Sequence, residues 1–434
     1  MRIAIVHDYL AQAGGAERVV EAMHECWPEA PIFTSVYDPD ATFPSFRQMD
    51  VRTSFLQRLP FARSSKFHKV ALPLYPLAFE HLDLSGYDVV VSSSSGFAKG
   101  VITGPETCHI SYCHTPARFA WRYHEYISRG GYDRSLRRVL PFIVHFLRAW
   151  DYTCAQNRVD YFLANSFNIA RRIRKYYGRE SEVLYPPVDV HRFQVAEEPS
   201  ADFLLVVSRL LPYKRVDLAV EACSRLGLPL KVVGTGPDLA RLKEMAGPSV
   251  QFLGRLPDAE VTRLMANCKA FLFPGEEDFG IAPVEAMASG RPVVALRAGG
   301  ALETVIEGET GLFFDEPTGD SLAATLRRLD ELEVHPDRIR AHALRFDVSV
   351  FQKRLRRMVD TMLQEHRVRY DTIRPEKDPL CEDALLAHLR EAERDHEGAA
   401  AAVPAEPALL AARGLRGGAT PARPTPPDRP FGKK

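Results

Sequence analysis

The sequence predicts an α/β protein of two doubly wound lobes facing a central cleft, and three observations carry that prediction. Short runs of buried-strand character alternate with helical patterns from residue 1 to about residue 366, the arrangement of a parallel sheet covered on both faces. The alternation restarts after a polar segment, Gln194 to Asp202, which reads as a linker. The chain also has 434 residues, more than a single ordinary core organises.

The first lobe, 1–195, opens with a strand at Ile3 to Val6, a turn at Gly14 and Gly15, and a helix from Ala16 to Cys26. Apolar runs at Pro31 to Val36, Asp88 to Ser92, His109 to Cys113 and Tyr161 to Asn165 are too short for helices and predict further strands. A helix is predicted over Phe167 to Tyr177. The second lobe, 203–366, repeats the architecture with different residues. Strands are predicted at Phe203 to Val207, Leu230 to Val233, Val250 to Leu253, Ala270 to Pro274 and Val293 to Ala295, with helices starting at Val216, Asp238 and Ala259 and near Pro283. Its last helix is expected to pack back on the first lobe. Beyond it, 367–434 turns charged and then rich in Pro and Ala, and is expected to be a disordered tail.

Composition narrows the function. Hydrophobic residues make up 46% and charged residues 26%, so each lobe can bury a core. Lys plus Arg and Asp plus Glu each total 56, which argues against a nucleic-acid binder with a basic field. The seven cysteines are odd in number and form no Cys-x-x-Cys pair, so neither a disulfide framework nor a zinc site is expected. The apolar run after Met1 is interrupted by His7 and Asp8, too early for a signal peptide or a spanning helix. These features predict a cytoplasmic protein.

The most informative stretch is Pro274-Gly-Glu-Glu-Asp-Phe-Gly-Ile-Ala-Pro-Val-Glu-Ala-Met-Ala-Ser-Gly-Arg-Pro-Val-Val-Ala. It reads as a strand end, a loop, a short helix and another strand, with Pro283 in the first helical turn and Gly290 past its end. Ligands of open parallel sheets bind at the carboxyl ends of the strands, and the free amides of a helix start favour anionic or polar oxygens. Phe279, Gly280 and Ile281 are placed to present those amides. Glu277 stands in the loop, and Glu285 follows after seven intervening residues, one turn into the helix. Either carboxylate alone is more often a solvated surface group. The joint pattern of Glu-x-Phe-Gly, the second Glu and Ala-Met-Ala-x-Gly-x-Pro-Val is far more specific.

That pattern resembles the signature of the retaining glycosyltransferases of family 4, the group 1 glycosyltransferases, whose fold of two Rossmann-like lobes is called GT-B. The resemblance covers residues 1 to about 365. It implies a nucleotide-sugar donor, with Glu277 beside the transferred sugar and Glu285 on the ribose. It gives Arg209 and Lys214, in Ser208-Arg-Leu-Leu-Pro-Tyr-Lys, the donor diphosphate, where fixed cations stabilise the departing charge without a metal. No metal or other cofactor is expected. Gly14 and Gly15 are assigned to the acceptor side or the donor phosphate, since a turn without side chains admits a substrate to the backbone. His114, in Ser111-Tyr-Cys-His-Thr-Pro-Ala-Arg-Phe, takes the place of a histidine contacting the donor sugar. The string His-Thr-Pro-x-Arg-Phe with Trp121 behind it resembles a subgroup associated with mannosyl transfer in surface polysaccharide assembly. The implied donor is GDP-mannose, and the implied acceptor a glycan or a lipid-linked saccharide.

Other motifs carry less. Asp38-Pro-Asp40 has the spacing of a metal-binding carboxylate pair, but its central proline suits a turn. Gly234-Thr-Gly-Pro-Asp-Leu matches only half of a dinucleotide-binding loop, so a nicotinamide enzyme is poorly supported. Gly299, Gly300 and Glu303 follow the main motif, the glycines as a turn behind the donor site and Glu303 as a helix-start residue. Two stretches, 55–80 and 137–150, mix basic with aromatic and aliphatic residues and suit peripheral contact with an anionic membrane as well as packing on the first lobe. A nucleotide-sugar 2-epimerase of the same fold and a noncatalytic partner are the rival functions. The intact Glu277, Glu285, Arg209 and Lys214 favour a transferase.

Overall fold

Along the first strand, β1 (Ile3–His7), successive side chains divide between two cores. Ile3 and Ile5 join one cluster with Val19 and Met23, whereas Ala4 and Val6 join another with Tyr75 and Phe79. A strand buried on both faces cannot alternate with polar residues, which is why it reads as an unbroken apolar run. The computed structural model describes residues 1–60, 62, 71–122, 134–196 and 202–371, the side chains of 134–139 and 370–371 excepted. The expected tail beyond 371 lies outside the described residues.

The first sheet contains β1, β2 (Ile32–Thr34), β3 (Val51–Thr53), β4 (Val89–Ser94), β5 (Cys108–Cys113), β6 (Tyr161–Ala164) and β7 (Glu182–Val183), in the order β3-β2-β1-β4-β5-β6-β7. The second contains β8 (Leu204–Val207), β9 (Leu230–Val233), β10 (Val250–Gly254), β11 (Ala270–Phe273), β12 (Val293–Leu296) and β13 (Gly311–Phe314), in the order β10-β9-β8-β11-β12-β13. Every pairing in both is parallel. Each sheet therefore reverses its winding once, between β1 and β4 and between β8 and β11, and the crevices outside these two points are where such sheets bind ligands.

The helices that shape the cleft are α1 (Gly15–Cys26), α2 (Arg134–Asn157), α3 (Phe167–Tyr177), α4 (Val216–Leu226), α5 (Ile281–Ala288) and α6 (Val348–Asp371). α3 is delimited by local chemistry at both ends. The Ser166 hydroxyl accepts from the Ile169 amide at its start, and Gly178 takes the left-handed conformation at its end.

Two boundaries differ from the sequence expectation. The chain crosses to the second lobe at Val188–Phe193, ahead of the polar segment, because Val188, Val190 and Phe193 are buried in the second lobe's core. α6 continues past 366 to Asp371, and its Phe351, Leu355, Met358, Val359, Met362 and Leu363 pack against Ile3, Ile5, Ile110 and Tyr112. That spacing is one helical face. Strands β3, β7 and β13 had no sequence signal: the first two are short edges with exposed residues, and β13 begins on a glycine.

Both basic and aromatic stretches pack on the same outer face of the first sheet. Leu72, Tyr75, Ile143, Leu147 and Trp150 share one cluster, and the Trp150 indole donates to Glu80 at 2.8 Å. Positions 61 and 63–70, and the side chains of 137–139, lie outside the described residues.

Beneath this face is a buried ion pair, Lys99 with Asp151, each about 1% exposed. Lys99 also donates to the Gly96 carbonyl at 2.7 Å. Asp151 accepts from the Trp121 indole at 2.7 Å and the Tyr177 hydroxyl at 2.8 Å. The pair thus ties the end of β4 to α2 and α3. Removing one partner strands the other charge in the interior, so Lys99→Met is expected to cost about 3–5 kcal/mol. Thermal unfolding checks this: an unchanged melting temperature would show that the pair bears no net load.

Candidate functional site

The carboxyl ends of both sheets face one cleft of about 1120 Å³. All ten sequence-predicted site residues line it: Gly14, Gly15 and His114 from the first lobe, and Arg209, Lys214, Glu277, Phe279, Gly280, Ile281 and Glu285 from the second.

On the second lobe, Arg209 and Lys214 follow β8 at the point where the sheet reverses, and Glu277 follows β11 beside it. Lys214 pairs with Glu277, so a cation and a carboxylate stand together at the floor of the cleft. α5 begins at Ile281, immediately after Gly280 in the left-handed region at φ 92°. A side chain on Gly280 would also stand 2.7 Å from the Phe273 ring, so only glycine fits this approach to the helix. Glu285 is part-buried one turn on, and its Oε1 lies 3.3 Å from Arg192. Burial raises its pKa, and the Arg192 and Arg18 charges oppose that rise.

On the first lobe, the glycine turn lies directly against the start of α5, since a side chain on Gly15 would meet Ile281 Cδ1 at 2.8 Å. His114 stands at the end of β5. Its Nε2 is 2.8 Å from Ser93 Oγ, its carbonyl accepts from Asn165 at 3.0 Å, and its ring meets Tyr112 edge-on at 5.1 Å between centroids. Burial pushes its pKa down to about 3, so the imidazole is neutral.

The structure adds residues that sequence reasoning did not assign. Asp278, at the variable position of Glu-x-Phe-Gly, reaches across to the first lobe, where it pairs with Arg118 and, at 2.6 Å, with Arg172. Arg172 also holds Glu276 at 2.9 Å, and Ser166 donates to the Asp278 carbonyl at 2.7 Å. Glu303 accepts from the Phe167 and Asn168 amides, both at 2.8 Å. It acts on a helix start as expected, but on that of α3 in the opposite lobe. The Gly300 amide donates to the Glu277 carbonyl at 2.9 Å, which puts the glycine turn directly behind the Glu277 loop. Arg118 lies inside the His-Thr-Pro-x-Arg string, so its signal was present. Arg192 had none, because its partner lies 93 residues away.

Electrostatically, Arg118, Arg209, Lys214, Arg18 and Arg255 bring positive charge to the cleft, with a neutral His114 on the first lobe and the part-buried Glu285 carboxylate on α5. Asp38 and Asp40 are not among the lining residues: Asp40 pairs with Arg47 at 2.6 Å and Asp38 accepts from the Asp40 amide at 3.1 Å, as a turn requires. Among the described residues, Cys108, Asp160 and His366 stand close enough to share a metal ion. They lie at the amino ends of β5 and β6, away from the cleft.

Comparison with known proteins agrees with this geometry. Residues 188–345 match the family Glycosyl transferases group 1, and residues 13–192 match Glycosyltransferase Family 4. The chain is 38% identical over 141 residues to the GDP-mannose-dependent alpha-mannosyltransferase of Corynebacterium glutamicum, a match covering 32% of this chain and 34% of that one. It is 27% identical over 358 residues to the human alpha-1,3/1,6-mannosyltransferase ALG2, covering 70% of this chain and 81% of that one. Several of the curated relatives are thus matched over a third to a half of their length. Among solved structures, sucrose-phosphate synthase from Thermosynechococcus elongatus superposes with a TM-score of 0.65 at 15% identity, covering 84% of this chain and all of that one. HepE from Anabaena in complex with UDP gives 0.61 at 18% identity, over 83% of this chain and all of that one. With both lobes matched and the two parallel sheets meeting at one cleft, the chain belongs to the group 1, family 4 glycosyltransferases and has the GT-B fold.

Proposed function

We propose that this protein is a retaining hexosyltransferase that moves mannose from GDP-mannose, in α linkage, onto a glycan or a polyprenyl-diphosphate-linked saccharide in cell-surface polysaccharide synthesis. The observation that carries the reading is the convergence on one cleft of Arg209, Lys214, Glu277 and Glu285 from one lobe and His114 from the other. Mannosyl specificity draws support from the two mannosyltransferase relatives.

In this reading Arg209 and Lys214 hold the diphosphate, Glu285 accepts the ribose hydroxyls, and the amides of Phe279, Gly280 and Ile281 meet donor oxygens. Glu277 and His114 contact the transferred sugar. The bond from the anomeric carbon to the diphosphate oxygen breaks as negative charge builds on that oxygen, where the two cations stabilise it. The acceptor oxygen bonds to the anomeric carbon from the same face, and its proton passes to the departing phosphate oxygen. A covalent glycosyl-enzyme would need a carboxylate beneath the anomeric carbon, and Glu277, paired with Lys214, is assigned to sugar hydroxyls instead. The reaction then requires no metal, because two fixed cations supply the charge.

We also propose that the first lobe rests on the inner face of the cell membrane. No helix among the described residues is long and apolar enough to cross a bilayer. The outer face of α2 nevertheless exposes Phe142 (78%), Phe146 (64%) and Tyr152, and the neighbouring segment exposes Leu74 and Leu77. Apolar side chains displayed along one helix face suit an interfacial site.

Three outcomes are expected. In a panel of nucleotide-sugars, GDP-mannose raises the melting temperature most and releases GDP with acceptor, whereas an epimerised free donor would overturn the transferase reading. Glu277→Ala lowers kcat by about 10²–10³-fold at saturating donor, while chelation by EDTA leaves wild-type turnover unchanged; retained turnover in the variant, or lost turnover with EDTA, contradicts the assigned chemistry. Phe142→Ser/Phe146→Ser reduces flotation with anionic vesicles, and equal flotation of both proteins would remove this face from the contact.

A further inference from the structure

A chain of polar side chains runs beneath the cleft from one candidate site residue to another. Arg209 donates to Gln12 Oε1 at 3.4 Å, and Gln12 Nε2 donates to Glu17 Oε1 at 3.0 Å. Glu17 Oε1 faces His7 Nε2 at 3.6 Å, and both residues are nearly inaccessible, at 1% and 2% exposure. His7 Nδ1 lies 3.1 Å from both the carbonyl oxygen and the hydroxyl of Ser93, and that hydroxyl lies 2.8 Å from His114 Nε2.

The direction of this chain follows from one atom that can only accept. Because His7 Nδ1 faces the Ser93 carbonyl, it carries a hydrogen and cannot accept one from the Ser93 hydroxyl. Burial by itself disfavours the charged forms of His7 and Glu17, yet their pairing raises the pKa of the histidine and lowers that of the carboxyl. The hydrogen on His7 Nδ1 is thus directed at Ser93, and the Glu17 carboxyl faces the other ring nitrogen. The Ser93 hydroxyl hydrogen then has His114 Nε2 as its acceptor. A neutral imidazole that accepts at Nε2 bears its hydrogen on Nδ1.

We infer that Glu17, His7 and Ser93 are positioning residues that hold His114 in the Nδ1–H tautomer, so that it presents a hydrogen-bond donor to an oxygen of the transferred sugar. The inference rests on the reading that His114 contacts the donor, but the tautomer itself is a property of the free protein. This is a second role for the first β-to-α segment beyond its glycine turn: Glu17 sits on the opening turn of α1, three residues after Gly14. Buried polar groups linked this way fix ring orientation as well as tautomer, which is how a partner twice removed from the substrate acts on it.

The test is nitrogen-15 NMR of the full chain labelled at histidine, with His114 assigned by comparison with His114→Gln. In the unliganded wild type, the His114 Nδ1 signal is expected to be protonated and Nε2 unprotonated; the opposite tautomer, or an even mixture, overturns the inference without any substrate. Ser93→Ala is expected to release the ring into a mixture and to lower kcat for GDP release from GDP-mannose about fivefold to tenfold, with the donor KM little changed. An unaltered tautomer in a folded Ser93→Ala protein overturns the relay. Glu17→Gln serves as a second variant, expected to lower the pH at which the His7 signals titrate, because it removes the carboxylate that raises that pKa. If the wild-type tautomer is as inferred but His114→Gln keeps full turnover, the relay stands and the donor-contact reading of His114 falls.

Discussion

Every candidate residue of the cleft reaches it under one constraint: the two sheets are parallel and covered on both faces. Side chains within such strands are committed to the cores, so polar groups emerge where the strands end. β1 delivers the glycine turn, β4 Ser95, β5 His114, β8 Arg209 and Lys214, and β11 the Glu277 loop. The two lobes place their carboxyl edges opposite each other, and the points where each sheet reverses its winding supply most of these residues. The chemistry is concentrated by topology before any single side chain is chosen.

The Glu277 loop after β11 is where this arrangement is most tightly specified. Its backbone is held from behind by the Gly300 amide and from the opposite lobe by the Ser166 hydroxyl, and its Asp278 carboxylate is clasped by Arg118 and Arg172. Loss of the Gly300 or Ser166 bond leaves a carbonyl of this loop without that partner, and loss of both arginines strands the Asp278 carboxylate, which is more costly than the bonds are favourable. The position of Glu277, one residue away, therefore depends on elements from both lobes. Charges paired across an interface also select one relative placement of the lobes, since a displaced carboxylate would lose both guanidinium partners.

Much of this was legible in the sequence, and the exceptions share a cause. β9 and α3 match their expected spans residue for residue, because apolar period, Ser166 as a cap and Gly178 as a stop are local signals. That the ten candidate residues share one cleft was legible because their motifs follow strand ends. Asp278 occupies the variable position of its motif, so no residue type marked it. Arg192 and Glu303 act on partners in distant segments, and nothing in their own neighbourhoods announces those partners. His7 and Glu17 belong to no motif, and only the packing of α1 on β1 shows them buried together. The early crossing at Val188 was hidden for a similar reason: the polar segment that follows looks more like a linker than the apolar stretch that makes the passage.

The chain passes between the lobes twice, outward at Val188–Phe193 and back where α6 begins at Val348. The two passages lie side by side, with the Val188 amide donating to the Phe346 carbonyl and the Val348 amide to the Val188 carbonyl, both at 3.0 Å. A single strand would let one lobe swing in any direction, whereas two strands bonded along their length behave as a strap. Turning about the line of that strap keeps both hydrogen bonds, while sliding or twisting breaks them. Opening the cleft by this rotation would carry the loop of Glu277 away from His114 and part Asp278 from its two arginines, so widening of the cleft and loss of the clasp would be one event.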